Sequence, residues 1–295
     1  MPEIYFTPLN ESFGVEVHGV DVAKQPSARV MHKLALAYVE HKVLLLRNQS
    51  PTLESYTNFA HAWGKPRNDG FTDLNVPGFH DLSRVGNTGG LLEEAMHRNS
   101  SCFWHTDCAA ENDANATTML YCLHAPLSGG ETLVADLQGA YDTLDQPTRD
   151  KVESLAAHHS YPGTQQNIDG REDWEFPFTD YDTESIKALP KSKLRPLVRR
   201  HSATGRKGLY SPAGSIMSID GMDLDEASAL VRRLKLHAVA QANCYRHSYR
   251  PGDILLWDNS ATLHFATPVG PANGEANRRL LYRIVPIGLP TALGL

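Results

Sequence analysis

The chain has 295 residues, 41% of them hydrophobic and 21% charged, an ordinary composition for a globular protein with a sizeable core. A net charge of −6 and a pI near 6.1 argue against the basic surface that nucleic acids and anionic membranes attract. The N-terminus lacks a cationic start and an apolar run, and no stretch approaches the roughly 18 apolar residues of a membrane span. We therefore expect a cytoplasmic protein without a signal peptide, in which the four cysteines are reduced thiols.

Short apolar or alternating segments separated by turns predict strands, and a few amphipathic or capped segments predict helices. In chain order, the predicted strands lie within 13–22, 43–47, 79–85, 117–125, 128–137, 243–249, 254–258, 261–268 and 278–287. The predicted helices cover 28–42, the segment from Ser50 to Trp63, the segment from Asp145 to Ala157, and 223–236.

Many short strands with a few covering helices predict a mostly β protein with flanking helices (α+β). Its core is expected to be a double-stranded β-helix, or jelly roll. Residues 160–195 are rich in proline, aspartate and aromatic residues, and we interpret them as a long active-site insertion across one face. No internal repeat or linker divides the chain, so we expect a single domain spanning 1–295.

The stretch "FWHTDC" (103–108) contains the only His-x-Asp of the sequence, formed by His105 and Asp107. In an extended segment, side chains two residues apart point to the same side. An imidazole and a carboxylate placed in this way can converge on one metal ion. On its own the tripeptide is weak evidence for a metal site, and a surface hydrogen bond is the more common reason for it.

A second histidine, His264, lies in the apolar context "DILLWDNSATLHFATP", where a polar ring needs a hydrogen-bonding or functional reason to be present. By itself it can be a core histidine satisfied by a backbone carbonyl. Together with His105 and Asp107, it completes two imidazoles and one carboxylate. This is the donor set of the facial triad of non-haem Fe(II) oxygenases, which leaves three metal positions open.

The segment "RRLLYR" (278–283) supplies a possible anion site. Arg279 and Arg283 are four residues apart, so in a strand both would face the same way, among apolar neighbours. An inward guanidinium requires an anion, and its planar fork matches a carboxylate. Thr132 can give the same carboxylate a hydroxyl donor, although it can also be an ordinary strand threonine. Arg278 is interpreted as a cationic strand end.

The combination of these motifs resembles the taurine/2,4-dichlorophenoxyacetate (TauD/TfdA-like) dioxygenase family. The resemblance covers about residues 13–285 and rests on motifs in the same order and spacing as in the family. Four of them carry chemistry: "WHTD", "GGETLVAD", "WDNSATLHFATP" and "RRLLYR". Four others are "GVEVHGVDV", "HKVLLLRNQ", "GAYDTLD" and "TGRKGLY".

The resemblance implies an Fe(II)- and 2-oxoglutarate-dependent dioxygenase that uses O₂ to hydroxylate a small, anionic organic acid. The substrate would be similar to an aryloxyalkanoate, a sulfonate or an amino acid, and C–O or C–S cleavage can follow hydroxylation. A carboxylate at Asp107, rather than the small residue of related halogenases, favours hydroxylation. Assembly as a dimer or tetramer stays open.

Roles carry over from the family position by position. His105, Asp107 and His264 would bind iron. Arg279 with Thr132 would hold the distal carboxylate of 2-oxoglutarate. Arg283 would face the primary substrate, and Trp104 would line the substrate side.

Two other classes of protein fit parts of the pattern. A metal-binding jelly roll, such as a cupin-like hydrolase or isomerase, needs no 2-oxoglutarate site, so Arg279 and Thr132 argue against it. A non-catalytic ligand-binding protein on the same fold would be favoured if one of the three metal ligands were missing, and all are present.

Overall fold

The computed structural model describes residues 3–67, 72–110, 116–160 and 192–294. The strands in these ranges are β1 (Tyr5–Pro8), β2 (Val15–His18), β3 (Val43–Leu46), β4 (Lys65–Pro66), β5 (Asn75–Val76), β6 (Phe79–Gly86), β7 (Thr117–His124), β8 (Thr132–Asp136), β9 (Ala156–His159), β10 (Lys193–Pro196), β11 (Val198–Arg200), β12 (Lys207–Leu209), β13 (Ile216–Ile219), β14 (Cys244–His247), β15 (Ile254–Asp258), β16 (Thr262–Ala266), β17 (Leu280–Ile284) and β18 (Pro286–Ile287). The α-helices are α1 (Ala28–His41), α2 (Leu53–Trp63), α3 (Ala95–Arg98), α4 (Leu137–Asp142), α5 (Gln146–Glu153) and α6 (Leu224–Ala238). Single-turn 3₁₀ helices are Val22–Lys24, Thr72–Leu74, Gly90–Glu93, Gln241–Asn243, Glu275–Asn277 and Thr291–Leu293.

Two sheets carry the candidate site. The larger sheet has the order β1-β2-β3-β15-β7-β17-β6-β5, and the smaller one has the order β14-β8-β16. The pair β2–β3 is parallel, whereas β15 pairs antiparallel with both β3 and β7. The remaining strands form three further sheets, β10-β9-β13, β11-β12 and β18-β4. The predicted mostly β architecture with flanking helices is confirmed.

The central strand β15 shows why its sequence is apolar throughout. Ile254 and Leu256 pack in one cluster with residues of α1 and α2. Leu255 and Trp257 point the other way and pack with Val134 of the smaller sheet. Because alternate residues of a strand face opposite sides, a strand covered on both faces needs apolar residues at successive positions. The larger sheet therefore lies between helices on one face and the smaller sheet on the other.

Strand β16 alternates in the same way and thereby positions a functional residue. Leu263 and Phe265 pack in a cluster that includes Val231 and Leu234 of α6. His264 lies between them in sequence, so its side chain faces the opposite side, toward the larger sheet. It is 6% exposed.

Most predicted elements agree with the structure to within a few residues. Helix α1 begins at the predicted place because the hydroxyl of Ser27 accepts a hydrogen bond from the Val30 amide. The helix predicted from Asp145 to Ala157 is too long. It ends at Glu153, because residues 156–159 pair instead with β10 and β13.

Two further expectations concern the predicted active-site insertion and membrane-spanning segments. Residues 161–191 of the predicted insertion lie outside the described residues. No helix within the described ranges combines the length and the apolarity that crossing a bilayer requires.

Candidate metal centre

The two candidate histidine ligands are brought together by backbone pairing. The His105 amide donates to the His264 carbonyl at 3.0 Å, and the His264 amide donates to the His105 carbonyl at 2.8 Å. Directly paired residues of antiparallel segments present their side chains on the same face. The imidazole centroids are therefore only 4.1 Å apart, although 158 positions separate the two residues in the sequence.

Asp107 reaches the same point from the turn that follows. Its Oδ1 lies 3.9 Å from His105 Nε2, and its Oδ2 lies 3.8 Å from His264 Nε2. The ligand atoms of the three side chains all lie within 4.8 Å of one another. The convergence expected of His105 and Asp107 thus occurs, but it is produced by a turn after an isolated bridge rather than by a continuous strand.

The hydrogen bond of His105 and the burial of both imidazoles suit metal binding. His105 Nδ1 lies 2.8 Å from the Phe103 carbonyl, so this nitrogen carries the proton and Nε2 presents its lone pair toward Asp107. His264 Nδ1 has no hydrogen-bond partner among the described residues, and His264 Nε2 faces Asp107. Burial lowers the pKa of both imidazoles, which favours the neutral form that binds metals.

Asp107 is held by three neighbours, two of which bind its carboxylate. Thr118 Oγ1 donates to Oδ2 at 2.5 Å, and Arg283 Nη2 donates to the same oxygen at 2.9 Å. The Asp107 amide donates to Asn259 Oδ1 at 3.2 Å, while Asn259 Nδ2 donates to Thr118 Oγ1 at 2.8 Å. Burial by itself raises the pKa of Asp107, but Arg283 and the two imidazoles outweigh it and hold this pKa well below its usual range.

The donor set fits an iron ion. Two neutral imidazoles and one ionised carboxylate are the ligands of non-haem Fe(II) sites, and the outer oxygen of Asp107 is already engaged by Thr118 and Arg283. Among the described residues, this is the one group of three His, Cys, Asp or Glu side chains whose ligand atoms converge in this way.

Arg279 directly precedes β17 and is buried in a polar environment. It is 2% exposed, its Nε donates to the Gly130 carbonyl at 3.0 Å, and its amide donates to Asn87 Oδ1 at 2.7 Å. No carboxylate of the described residues forms an ion pair with its guanidinium. Burial lowers the pKa of Arg279, yet an arginine stays charged in proteins. A buried cation of this kind requires an anion.

Thr132 is connected to Arg279 through Tyr249. It is 2% exposed, and its hydroxyl lies 2.9 Å from the hydroxyl of Tyr249. The guanidinium carbon of Arg279 lies 6.0 Å from the centroid of the Tyr249 ring. We call the group formed by Arg279, Thr132 and Tyr249 the anion pocket.

Trp104 is placed differently from the expected substrate-lining position. It is 3% exposed and its ring packs 5.6 Å from that of Phe265, inside the apolar cluster beneath α6. Its neighbour Phe103 instead stacks on the His105 imidazole, with centroids 4.6 Å apart. Because adjacent residues of an extended segment face opposite sides, Trp104 points away from the ligand His105. We assign it to core packing.

Three residues of the site were missed by the sequence reasoning: Thr118, Asn259 and Tyr249. Asn259 follows Asp258 in the recognised "WDNS" segment, and Thr118 is the second residue of the strand predicted over 117–125. Their contact with Asp107 depends on the pairing of β15 with β7, which brings Asp258 opposite Thr117. No local pattern indicates that contact.

Comparisons with known proteins agree with this geometry. A sequence model of the Taurine catabolism dioxygenase TauD, TfdA family matches residues 6–285. An (S)-phenoxypropionate/alpha-ketoglutarate-dioxygenase from Sphingobium herbicidovorans is 30% identical over 267 residues, which are 90% of this chain and 90% of that protein. An alpha-ketoglutarate-dependent sulfate ester dioxygenase from Pseudomonas putida is 29% identical over 301 residues, covering 97% of this chain and 92% of the relative. The crystal structure of AAD-2 in complex with Mn(II) and N-oxalylglycine superposes with a TM-score of 0.78 at 26% identity, covering 98% of this chain and 100% of that one.

The chain therefore belongs to the TauD/TfdA family. It is a dioxygenase that depends on 2-oxoglutarate (alpha-ketoglutarate), and its cofactors are Fe(II), 2-oxoglutarate and O₂. The resemblance read from the sequence motifs is confirmed. The family match and the relatives support this class rather than a cupin-like hydrolase or a non-catalytic binding protein.

Proposed function

We propose that the enzyme hydroxylates a C–H bond of a small anionic organic acid, with His105, Asp107 and His264 as the ligands of Fe(II). The observation that carries this proposal is the convergence of the three ligand atoms within 4.8 Å of one another, next to the Arg283 guanidinium. When bound there, iron activates O₂ to oxidise the substrate while 2-oxoglutarate is converted to succinate and CO₂.

The protein's own residues bind and orient the reactants. The Phe103 carbonyl holds His105 in the tautomer that presents Nε2, and Thr118 and Arg283 hold one oxygen of Asp107. In the anion pocket, the guanidinium of Arg279 and the hydroxyl of Thr132 would bind the distal carboxylate of 2-oxoglutarate. N-oxalylglycine, held by the similar AAD-2, has the two carboxylates and the keto oxygen of 2-oxoglutarate in the same arrangement, which supports this assignment.

The substrate class follows from the charge and the apolar surface next to the metal ligands. Arg283 places a cation, 20% exposed, directly beside Asp107. The half-buried Phe103 ring covers His105 and offers an apolar surface nearby. The two similar relatives act, by their names, on a phenoxypropionate and on a sulfate ester, both of which are anions on an organic body. We therefore propose an aryloxyalkanoate-like acid first and a sulfonate or sulfate ester second. Hydroxylation beside an ether or ester oxygen, or at a sulfonate carbon, would be followed by C–O or C–S cleavage.

The proposal is tested by O₂ uptake and succinate release with matched pairs of compounds. Each pair contains an acid and its neutral amide, drawn from aryloxyalkanoic acids, sulfonates and amino-acid-like acids. We expect an acid to stimulate both readouts and its amide to fail. For the active acid, Arg283→Ala should raise KM about tenfold or more and change the affinity for 2-oxoglutarate less. Equal stimulation by the amide, or a loss confined to 2-oxoglutarate, would contradict the role given to Arg283.

We further propose how the core of the enzyme is built and in which compartment the enzyme works. The stacking of the larger sheet on the smaller one, with helices outside both, supports a double-stranded β-helix core in a single domain spanning 1–295. All four cysteines are free thiols, and burial raises the pKa of Cys102, Cys122 and Cys244 to about 12, as fits an enzyme of the reducing cytoplasm. Light scattering would show whether the enzyme assembles as a dimer or as a tetramer.

A further inference from the structure

Tyr249 is held rigidly between the anion pocket and a buried charged network. Its ring stands perpendicular to that of His247, with centroids 4.5 Å apart. His247 Nε2 lies 3.1 Å from Asp253 Oδ2, and Arg47 Nη1 lies 2.9 Å from the same oxygen. On its other side the Tyr249 ring faces the Arg279 guanidinium. The phenol is therefore fixed in place before any ligand enters.

The hydroxyls of Tyr249 and Thr132, 2.9 Å apart, share one hydrogen bond in which either oxygen can be the donor. A phenol is a stronger acid, and so a better donor, than an aliphatic alcohol. Burial raises the pKa of Tyr249 further above its ordinary value, so the phenol keeps its proton at neutral pH. Donation from Tyr249 to Thr132 is thus the favoured direction. It leaves the Thr132 hydroxyl proton available to a second acceptor.

We propose that Tyr249 is a positioning residue for 2-oxoglutarate. Its phenol donates to Thr132 Oγ1 and so directs the Thr132 proton toward the distal carboxylate, while its ring supports the Arg279 guanidinium. This assignment rests on the proposed function, in which Arg279 and Thr132 bind that carboxylate. It adds a third residue to the pocket and explains why a tyrosine hydroxyl is placed next to Thr132.

The test is an anaerobic titration of the Fe(II)-loaded protein with 2-oxoglutarate, followed by the visible metal-to-ligand charge-transfer band. Tyr249→Phe keeps the ring and removes only the hydroxyl. We expect it to weaken 2-oxoglutarate binding about 3- to 10-fold, the effect of one net hydrogen bond. With 2-oxobutanoate, a keto acid that lacks the distal carboxylate, Tyr249→Phe and wild type should bind equally.

A double-mutant cycle separates this role from general loosening of the pocket. In a Thr132→Val background, adding Tyr249→Phe should cause no further loss, because the phenol acts through the Thr132 hydroxyl. Tyr245→Phe is the matched control. Its hydroxyl lies 3.0 Å from His247 Nδ1, outside the anion pocket, and its loss should leave 2-oxoglutarate binding unchanged.

The outcomes distinguish this assignment from the proposed function. An unaltered affinity of Tyr249→Phe, additive losses in the cycle, or an equal loss with 2-oxobutanoate would overturn the role of Tyr249 alone. A wild-type protein that forms no complex with Fe(II) and 2-oxoglutarate would overturn the proposed function together with it.

Discussion

Two of the places where histidine meets aspartate in this molecule differ in what their polar atoms contact. In one of them, His201 Nε2 donates to Asp258 Oδ2 at 2.9 Å, and the two side chains are 1% and 3% exposed. Ser260 Oγ and the Ser260 amide both donate to Asp258 Oδ1, at 2.6 and 2.8 Å. The Thr204 amide donates to His201 Nδ1 at 3.2 Å. Every polar atom of this pair has a partner within the protein, so the pair is structural.

The cluster of His105, Asp107 and His264 uses the same residue types with the opposite result. Both Nε2 atoms lie 3.8–3.9 Å from the Asp107 oxygens, too far for a hydrogen bond, and they face a common point. The comparison teaches that proximity of histidine and aspartate does not define a metal site. A shared gap, toward which the lone pairs of several ligands point, does define one.

The largest expected effect separates these two clusters directly. Asp107→Ala should abolish iron binding and substrate-dependent succinate release, because it removes the only anionic ligand. Asp258→Asn should keep about one iron per chain but lower the melting temperature, since breaking a buried pair costs about 3–5 kcal/mol. Iron content after anaerobic loading and thermal unfolding check both variants. The distinction between a metal site and a structural pair would be wrong if Asp107→Ala retained iron, or if a folded Asp258→Asn lost it.

The second prediction concerns the anion pocket, where a buried cation has no carboxylate partner within the part of the chain that the structure describes. Arg279→Lys should raise KM for 2-oxoglutarate about 10- to 100-fold, because the bidentate fork is lost at a charged hydrogen bond worth about 1.5–3 kcal/mol. Arg278→Lys is the matched control. That neighbour pairs with Glu275 at 3.4 Å on the surface, so its substitution should leave KM unchanged. If Arg278→Lys raised KM for 2-oxoglutarate and Arg279→Lys did not, Arg278 would be the residue that binds the carboxylate.

A smaller effect is expected from the residues that orient Asp107. Thr118→Val removes the hydroxyl that donates to Asp107 Oδ2, and should weaken Fe(II) binding about tenfold. The adjacent Thr117 faces the other way, where its hydroxyl lies 2.7 Å from the Tyr38 hydroxyl and accepts from Trp63 Nε1 at 2.9 Å. Thr117→Val should therefore lower stability and leave Fe(II) affinity intact. Competition with a metal-binding dye measures the Fe(II) affinity of both variants. If Thr118→Val binds Fe(II) as tightly as Thr117→Val, Thr118 does not belong to the metal site.

A pH effect is expected from His159, a buried histidine that pairs with no carboxylate of the described residues. His159 is fully buried with Nδ1 2.8 Å from Ser215 Oγ, and burial lowers its pKa to about 3. Below pH about 6.5 the unfolded chain binds a proton at this residue that the folded protein does not bind until pH about 3. The free energy of unfolding should therefore decrease as the pH is lowered through this window, by about 1.4 kcal/mol per pH unit from this group. His159→Gln should flatten the slope of the unfolding free energy measured by urea titration, and an unchanged slope would show that other groups dominate.

Much of the fold could be predicted from alternation along the strands. The consecutive apolar residues of "ILLWD" predicted a strand, and β15 is that strand, covered on both faces. His264 stood out because Leu263 and Phe265 flank it as buried residues of the opposite face. The same alternation contradicts a substrate role for Trp104. As the neighbour of His105 it points to the other side, a consequence that family analogy alone overlooked.

The rest could not be predicted because it depends on contacts between distant strands. Thr118 meets Asn259 and Asp107 only after β7 and β15 have paired in one particular register. Tyr249 follows β14 and reaches Thr132 because β14 pairs with β8, which sets His247 opposite Thr132. Neither contact has a local signal, since strand register is decided by long-range packing.

The central claim is that His105, Asp107 and His264 bind a single ferrous ion. The most direct measurement is anomalous X-ray diffraction at the iron absorption edge, from crystals prepared anaerobically with Fe(II) and 2-oxoglutarate. The account predicts one anomalous peak bonded to the Nε2 atoms of both histidines and to an oxygen of Asp107. The keto acid should bind beside it, with its distal carboxylate at Arg279. A peak located elsewhere, or an iron ion that does not contact His264, would contradict the account.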